Sequence, residues 1–197
     1  QANANANVMD ALRTKISFSI SDDAACTGAA AGSGTNCVSP STGPNVNPQK
    51  VAIWKVSNTA NVNASQDAVI KLLNLDVNGT GISITANSTL RIFKDFIDPA
   101  LSNQLATTSY SGNQNFVDTQ ITEANFTDFS VPAGSFKYIV IDLDTSDASI
   151  VTNDLLSIGI QSGANGGQSS VIWSDNGGAS SFTKVDGLPL TGRTIKY

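Results

Sequence analysis

The chain has 197 residues, with 11 Lys and Arg against 16 Asp and Glu, a net charge of −5 and no histidine. That length can bury the core of one domain, and the acidic balance argues against a nucleic-acid partner, which needs a cationic face to displace counterions. The missing imidazole removes Ser-His and Cys-His catalytic pairs, His-ligated zinc and His-based pH switching.

Composition also bears on secondary structure. The chain holds 24 Ser, 19 Asn, 18 Thr and 16 Gly, and Glu123 is its single Glu beside 15 Asp. Residues of these types are poor helix formers, so strands are expected. Residues 1–9 form a small, polar lead without an apolar signal stretch or membrane span, as expected of a mature chain whose leader has been removed and unlike a type IV pilin. Leu12, Thr14, Ile16, Phe18 and Ile20 then alternate with Arg13, Lys15, Ser17 and Ser19. This spacing predicts a half-buried strand of period two.

Residues 21–49 read as a loop rich in Gly, Ser, Pro and Asn that holds both cysteines, Cys26 and Cys37. No Cys-x-x-Cys motif or histidine can complete a metal site, so a disulfide closing this loop is the expected state, and with it an oxidising, extracellular location. Strands are predicted at 51–56 and at Ala68 to Val77, the latter a central strand apolar on both faces. Asn78-Gly79 gives a turn signal, followed by short strands at 81–85 and 89–93. Asp98-Pro99 starts one helical turn, 109–115 is a polar turn, and 116–122 is a weak strand. Residues 125–131 alternate, Pro132 to Gly134 turns, and 136–143 is the strongest strand, being aromatic and β-branched. Strands at 155–160, 171–173 and 194–197 complete the series, with a Gly-rich loop at 163–167. Eight to ten short strands with turns between them fit one antiparallel β-sandwich, jelly-roll or immunoglobulin-like. Its expected division is an N-terminal extension at 1–22, a candidate donor strand, and a sandwich at 23–197.

Candidate chemistry is sparse. Asp142, Asp144 and Asp147, near Asn153 and Asp154, are candidate calcium ligands, although they match no EF-hand and a solvated strand end accounts for them more simply. Asn63, Asn78, Asn87 and Asn125 begin Asn-x-Ser/Thr sequons, which permit glycosylation. Leu188-Pro-Leu-Thr-Gly192 fits the sortase pattern but lacks the apolar span and basic tail of a sorting signal. Trp54 and Trp173 could form an aromatic sugar platform, but each lies in an apolar strand segment where core packing is the default. No carboxylate pair suggests a glycosidase, and Ser-x-x-Lys and Gly-x-Ser-x-Gly are missing. The chain therefore reads as a non-enzyme without a cofactor.

The segments Lys50-Val-Ala-Ile-Trp-Lys-Val-Ser-Asn-Thr-Ala60, Val69 to Val77, Val131-Pro-Ala-Gly-Ser-Phe-Lys-Tyr-Ile-Val-Ile-Asp142 and Val171-Ile-Trp-Ser-Asp175 resemble a β-sandwich repeat of large surface proteins from candidate-phylum bacteria. The resemblance spans roughly residues 50–197 and implies a structural or adhesive cell-surface role. More loosely, the chain is similar to filament subunits that donate an N-terminal strand to a neighbour, such as chaperone–usher pilins and camelysin-like biofilm fibres. The donor residues would be Leu12, Ile16, Phe18 and Ile20; the other reading, preferred for residues 16–20, is an ordinary first strand of the chain's own sandwich. The expected function is thus a secreted subunit that polymerises with copies of itself into an extracellular filament or surface layer. The alternative is a monomeric adhesin or carbohydrate-binding module that recognises surface glycans.

Overall fold

A computed structural model describes residues 14–21, 37–38, 49–59, 66–84, 87–111, 119, 121–144, 148–165, 168–175, 183, 185–192 and 194–197. Among them the chain is all-β. Its longer strands are β1 (Ile16–Ile20), β2 (Gln49–Asn58), β3 (Ala68–Leu73), β4 (Asp76–Thr80), β6 (Asn87–Lys94), β7 (Gln104–Ser111), β8 (Phe129–Val131), β9 (Phe136–Leu143), β11 (Leu155–Gly159), β14 (Val171–Asp175) and β15 (Thr194–Lys196). Four two-residue strands, β5 (Ser83–Ile84), β10 (Ala148–Ser149), β12 (Ala164–Asn165) and β13 (Gln168–Ser169), form two small pairs. One 3-10 turn, Glu123–Asn125, is the only helical element among the described residues.

The architecture is an antiparallel β-sandwich. One layer is a five-stranded sheet in the order β1-β2-β9-β6-β7, and the other combines the sheets β8-β3-β14 and β15-β11-β4. Alternation along each strand sends one row of side chains into a shared core. Trp54 and Val56 of β2, Ile139 and Ile141 of β9, and Leu90 and Ile92 of β6 meet Ile70 of β3, Trp173 of β14, Ile158 of β11 and Ile195 of β15 in one buried cluster. Burial of each such side chain contributes about 1.5–3 kcal/mol. Because β9 is central, its other face is covered too: Val140 packs with Ile53 and Phe93 beneath Val38, Ile97 and Tyr138.

Several expected elements differ. The single strand expected over Ala68–Val77 is two strands in different sheets, β3 beside β8 and β14, and β4 beside β11. The break falls at Asn74, which is fully buried. Its side-chain amide donates to the Ser169 carbonyl at 3.0 Å and its Oδ1 accepts from the Ile121 N–H at 2.9 Å, replacing ladder bonds. Asn78-Gly79 does not turn but runs within β4, opposite Ser157 and Leu156. The chain bends after it at Gly81, whose φ of +84° suits glycine. The polar turn expected at 109–115 begins instead as the end of β7, an edge strand that the Thr- and Ser-rich pattern concealed. Asp98-Pro99 starts a single turn, closed by the Leu101 N–H donating to the Asp98 carbonyl, and Leu101 at φ 59° takes it out of helical geometry.

Candidate interface at the N-terminal strand

The alternating N-terminal segment is bounded on both edges by main chain. On one side β1 runs antiparallel to β2, with Ile16 opposite Asn58, Phe18 opposite Val56 and Ile20 opposite Trp54. On the other, Ser17 forms a parallel bridge with Asp186. There the Phe18 N–H donates to the Asp186 carbonyl at 3.0 Å, and the Asp186 N–H donates to the Ile16 carbonyl at 3.2 Å. Gly187 makes this approach possible, since a Cβ there would collide with the Phe18 carbonyl oxygen and its φ is +84°.

Side chains close the rest of the slot. Ile16 and Phe18 are buried in the core at 1% and 3% exposure, whereas Ile20 is 43% exposed. At the N-terminal end the buried Thr14 hydroxyl donates to Asn58 Oδ1 at 2.6 Å. Asn58 Nδ2 in turn donates to the carbonyls of Gln66, at 3.0 Å, and Val131, at 3.1 Å. Lys15 Nζ lies 2.5 Å from Asp186 Oδ2, a partly exposed pair of modest energetic weight. Of the four donor residues named from sequence, Leu12 lies outside the described residues. The other three form the edge strand of their own chain's sandwich, so the division expected at residue 22 falls beyond a strand that packs with the body. The alternation placed Thr14 on the inward row, but its bond to Asn58 and the contacts of Asp186 and Gly187 were not legible in the sequence. Their roles depend on pairing across 44 residues or more, and no local pattern marks it.

The other candidates resolve individually. Cys37 is buried and disulfide-bonded; Cys26, the other cysteine of the chain, lies outside the described residues. Asn78, Asn87 and Asn125 are exposed, as glycosylation would require, and Asn63 lies outside the described residues. Asp142 is fully buried, and its Oδ2 accepts from Arg91 Nη1 at 3.0 Å. Asp144 is half-buried, its N–H donating to the Thr89 carbonyl, and Asp147 lies outside the described residues. The candidate calcium set is thus built around a carboxylate already neutralised by a guanidinium. Trp54 and Trp173 are both 1% exposed in the core, so neither can present a face to a sugar. Leu188 to Gly192 runs along β11, Leu190 exchanging two 2.8 Å main-chain bonds with Ile160.

One surface feature was not expected. The Lys55 ammonium lies 4.0 Å from the centroid of the Phe136 ring, which meets Tyr138 edge-on at 5.5 Å. Phe136 remains 44% exposed on the outer face of the five-stranded sheet. At the other end of the β2–β9 ladder, opposite Asp142, burial holds the Lys50 amine below its ordinary pKa. No family model matches the chain, and no curated protein or solved structure matches it.

Proposed function

We propose that the chain is a structural subunit of an extracellular filament or surface layer, joined to neighbouring copies by exchange of strand β1. One observation carries the reading. Strand β1 fills a slot lined by main chain on both edges, yet it is joined to its partner β2 by the 28 residues between Ile20 and Gln49. A hairpin between antiparallel strands needs only two to five. A longer connection lowers the effective concentration of a chain's own strand at its slot, so the same strand of a neighbour competes better. Main-chain bonds on both edges would give the junction strength, and Ile16 and Phe18 would set its register. The disulfide-bonded Cys37 and the exposed Asn78, Asn87 and Asn125 support a secreted subunit. The low content of charged residues leaves little repulsion between copies. The sugar-binding alternative loses its two aromatic candidates to the core.

The test uses two single variants, Ser17→Cys and Ser57→Cys, at positions directly opposed in the β1–β2 register. The two proteins are mixed at high concentration and oxidised, and the mixture is viewed by negative-stain microscopy. Exchange yields a covalent adduct of one chain of each kind, together with filaments. Monomers alone, with a bridge forming only when both cysteines are on one chain, would overturn the proposal.

A further inference from the structure

We infer that Thr14 and Asn58 form a register lock that decides how β1 enters the slot, whichever copy of the chain supplies the strand. The inference rests on the exchange reading only for the identity of the donor.

Along one side of β1 and its lead, Thr14, Ile16 and Phe18 are buried at 1%, 1% and 3% exposure, and the next residue, Ile20, is 43% exposed. The apolar pattern alone does not select this arrangement. Sliding the strand by two residues keeps every face correct. It would put Ile16 in the place of Thr14, Phe18 in that of Ile16, and Ile20 in that of Phe18. Among the described residues of this face, three apolar side chains would then be buried where two are now, and Ile20 would lose its contact with water. By the apolar area of Ile16, Phe18 and Ile20 alone the shifted register wins.

The buried amide at the mouth of the slot reverses that preference. Asn58 is 1% exposed, and Thr14 Oγ1 donates to its Oδ1 at 2.6 Å. The shifted strand brings the Ile16 side chain there, which has no donor to offer. The buried amide therefore loses the Thr14 bond with nothing on the slid strand to replace it, and loss of a buried hydrogen bond is destabilising. The shift also puts Ser17 where Lys15 meets Asp186. The opposite slide is excluded differently: it places Thr14 in the apolar site of Ile16 and moves the Phe18 ring to the open position of Ile20. A slide of one residue turns Lys15, Ser17 and Ser19 inward. A single polar pair in an apolar interface selects register in coiled coils in the same way, at some cost in stability.

The experiment reads register directly in the full chain. Ser17→Cys with Ser57→Cys reports the observed register, and Ser19→Cys with Ser57→Cys reports the shifted one. Each pair is oxidised with Thr, Val or Ser at position 14. With Thr14 the first pair crosslinks and the second does not. Thr14→Val removes the hydroxyl at nearly constant volume, and the yield of the second pair relative to the first should rise at least about tenfold, the factor that loss of one buried hydrogen bond allows. Thr14→Ser restores the donor and should return the ratio to that of the parent. A Thr14→Val protein that stays folded by circular dichroism and crosslinks only through the first pair overturns the lock. If Thr14→Val does not fold, an unshifted Thr14→Ala overturns it equally. Placing the two cysteines on separate chains repeats the measurement between copies. A register shift within chains but no adduct between them would sustain the lock and sink the exchange.

Discussion

Arg91 and Asp142 face each other across β6 and β9 with 3.0 Å between Nη1 and Oδ2, the carboxylate wholly buried and the guanidinium side chain 26% exposed. Lys50 is the register partner of Asp142 on the opposite neighbour, β2. The carboxylate thus lies in a row of cations on the outer face of the sheet. Stranding a buried charge costs roughly 3–5 kcal/mol, and the partial exposure of Arg91 together with Lys50 opposite puts Arg91→Met near the lower figure. The expected result is a clear fall in the urea midpoint of Arg91→Met. Millimolar calcium should leave the parent's midpoint unmoved; a calcium-dependent rise would restore the aspartate cluster as a metal site.

Asp98 gives a pH-dependent turn. Its carboxylate accepts from the Ser102 hydroxyl, from the Ala100 N–H at 2.9 Å and from the Ser102 N–H at 3.1 Å, and these bonds hold its pKa below the ordinary 3.8. The folded state therefore favours the ionised form. Its contribution is complete above pH 3.8 and is lost as the pH falls through the lowered folded value. Carbon-detected NMR should show Asp98 titrating below 3.8, with the Ala100 and Ser102 amides losing protection over the same range. A midpoint at or above the ordinary value would show that the turn does not hold the carboxylate.

The two tryptophans test the division between core and surface. Trp54 of β2 and Trp173 of β14 come from opposite layers and join one buried cluster. Trp173→Ala should cost about 3–5 kcal/mol, read by chemical denaturation. Trp173→Phe should refold and keep whatever glycan-array profile the parent has. A glycan signal lost in Trp173→Phe while the fold survives would return the aromatic-platform reading.

Legibility followed the range of the interaction. The segment Phe136 to Leu143 was predicted to the residue because aromatic and β-branched residues are concentrated there, as a strand central to its sheet needs. Val51 to Val56 and Leu155 to Ile160 were found for the same reason. Where one side chain substitutes for backbone partners the local signal fails: Asn74 divides an apolar run that reads as one strand, and its partners Ile121 and Ser169 are 47 and 95 residues away. Strand β7 was hidden because an edge strand with one wet face needs few apolar residues. At the N-terminal slot the strand itself was legible. Its lock and its second edge, Asn58 and Asp186, were not, since each acts on β1 only through the fold.

The sortase-like segment supplies the last prediction. Gly192 is buried against the Ile158 carbonyl, so that a Cβ at this position would collide with its oxygen. Gly159 approaches the Leu190 carbonyl in turn, a Cβ there being 2.6 Å away. The two glycines let residues 190–192 lie flat on β11, where the Ile160 N–H donates to the Leu190 carbonyl and the Leu190 N–H to the Ile160 carbonyl. The glycine that completes the pattern is therefore explained by close packing of backbone on backbone. Gly192→Ala forces the segment away from β11 and should cost roughly 1–3 kcal/mol, as overpacking does, which lowers the melting temperature by about 2–12 °C for a chain of this size. A transpeptidase needs the Thr191–Gly192 bond extended and accessible. Incubating the folded protein with a sortase and a triglycine acceptor should therefore leave its intact mass unchanged. Cleavage after Thr191 at a temperature well below unfolding would mean that the segment leaves β11 readily, and Gly192→Ala should then be nearly neutral.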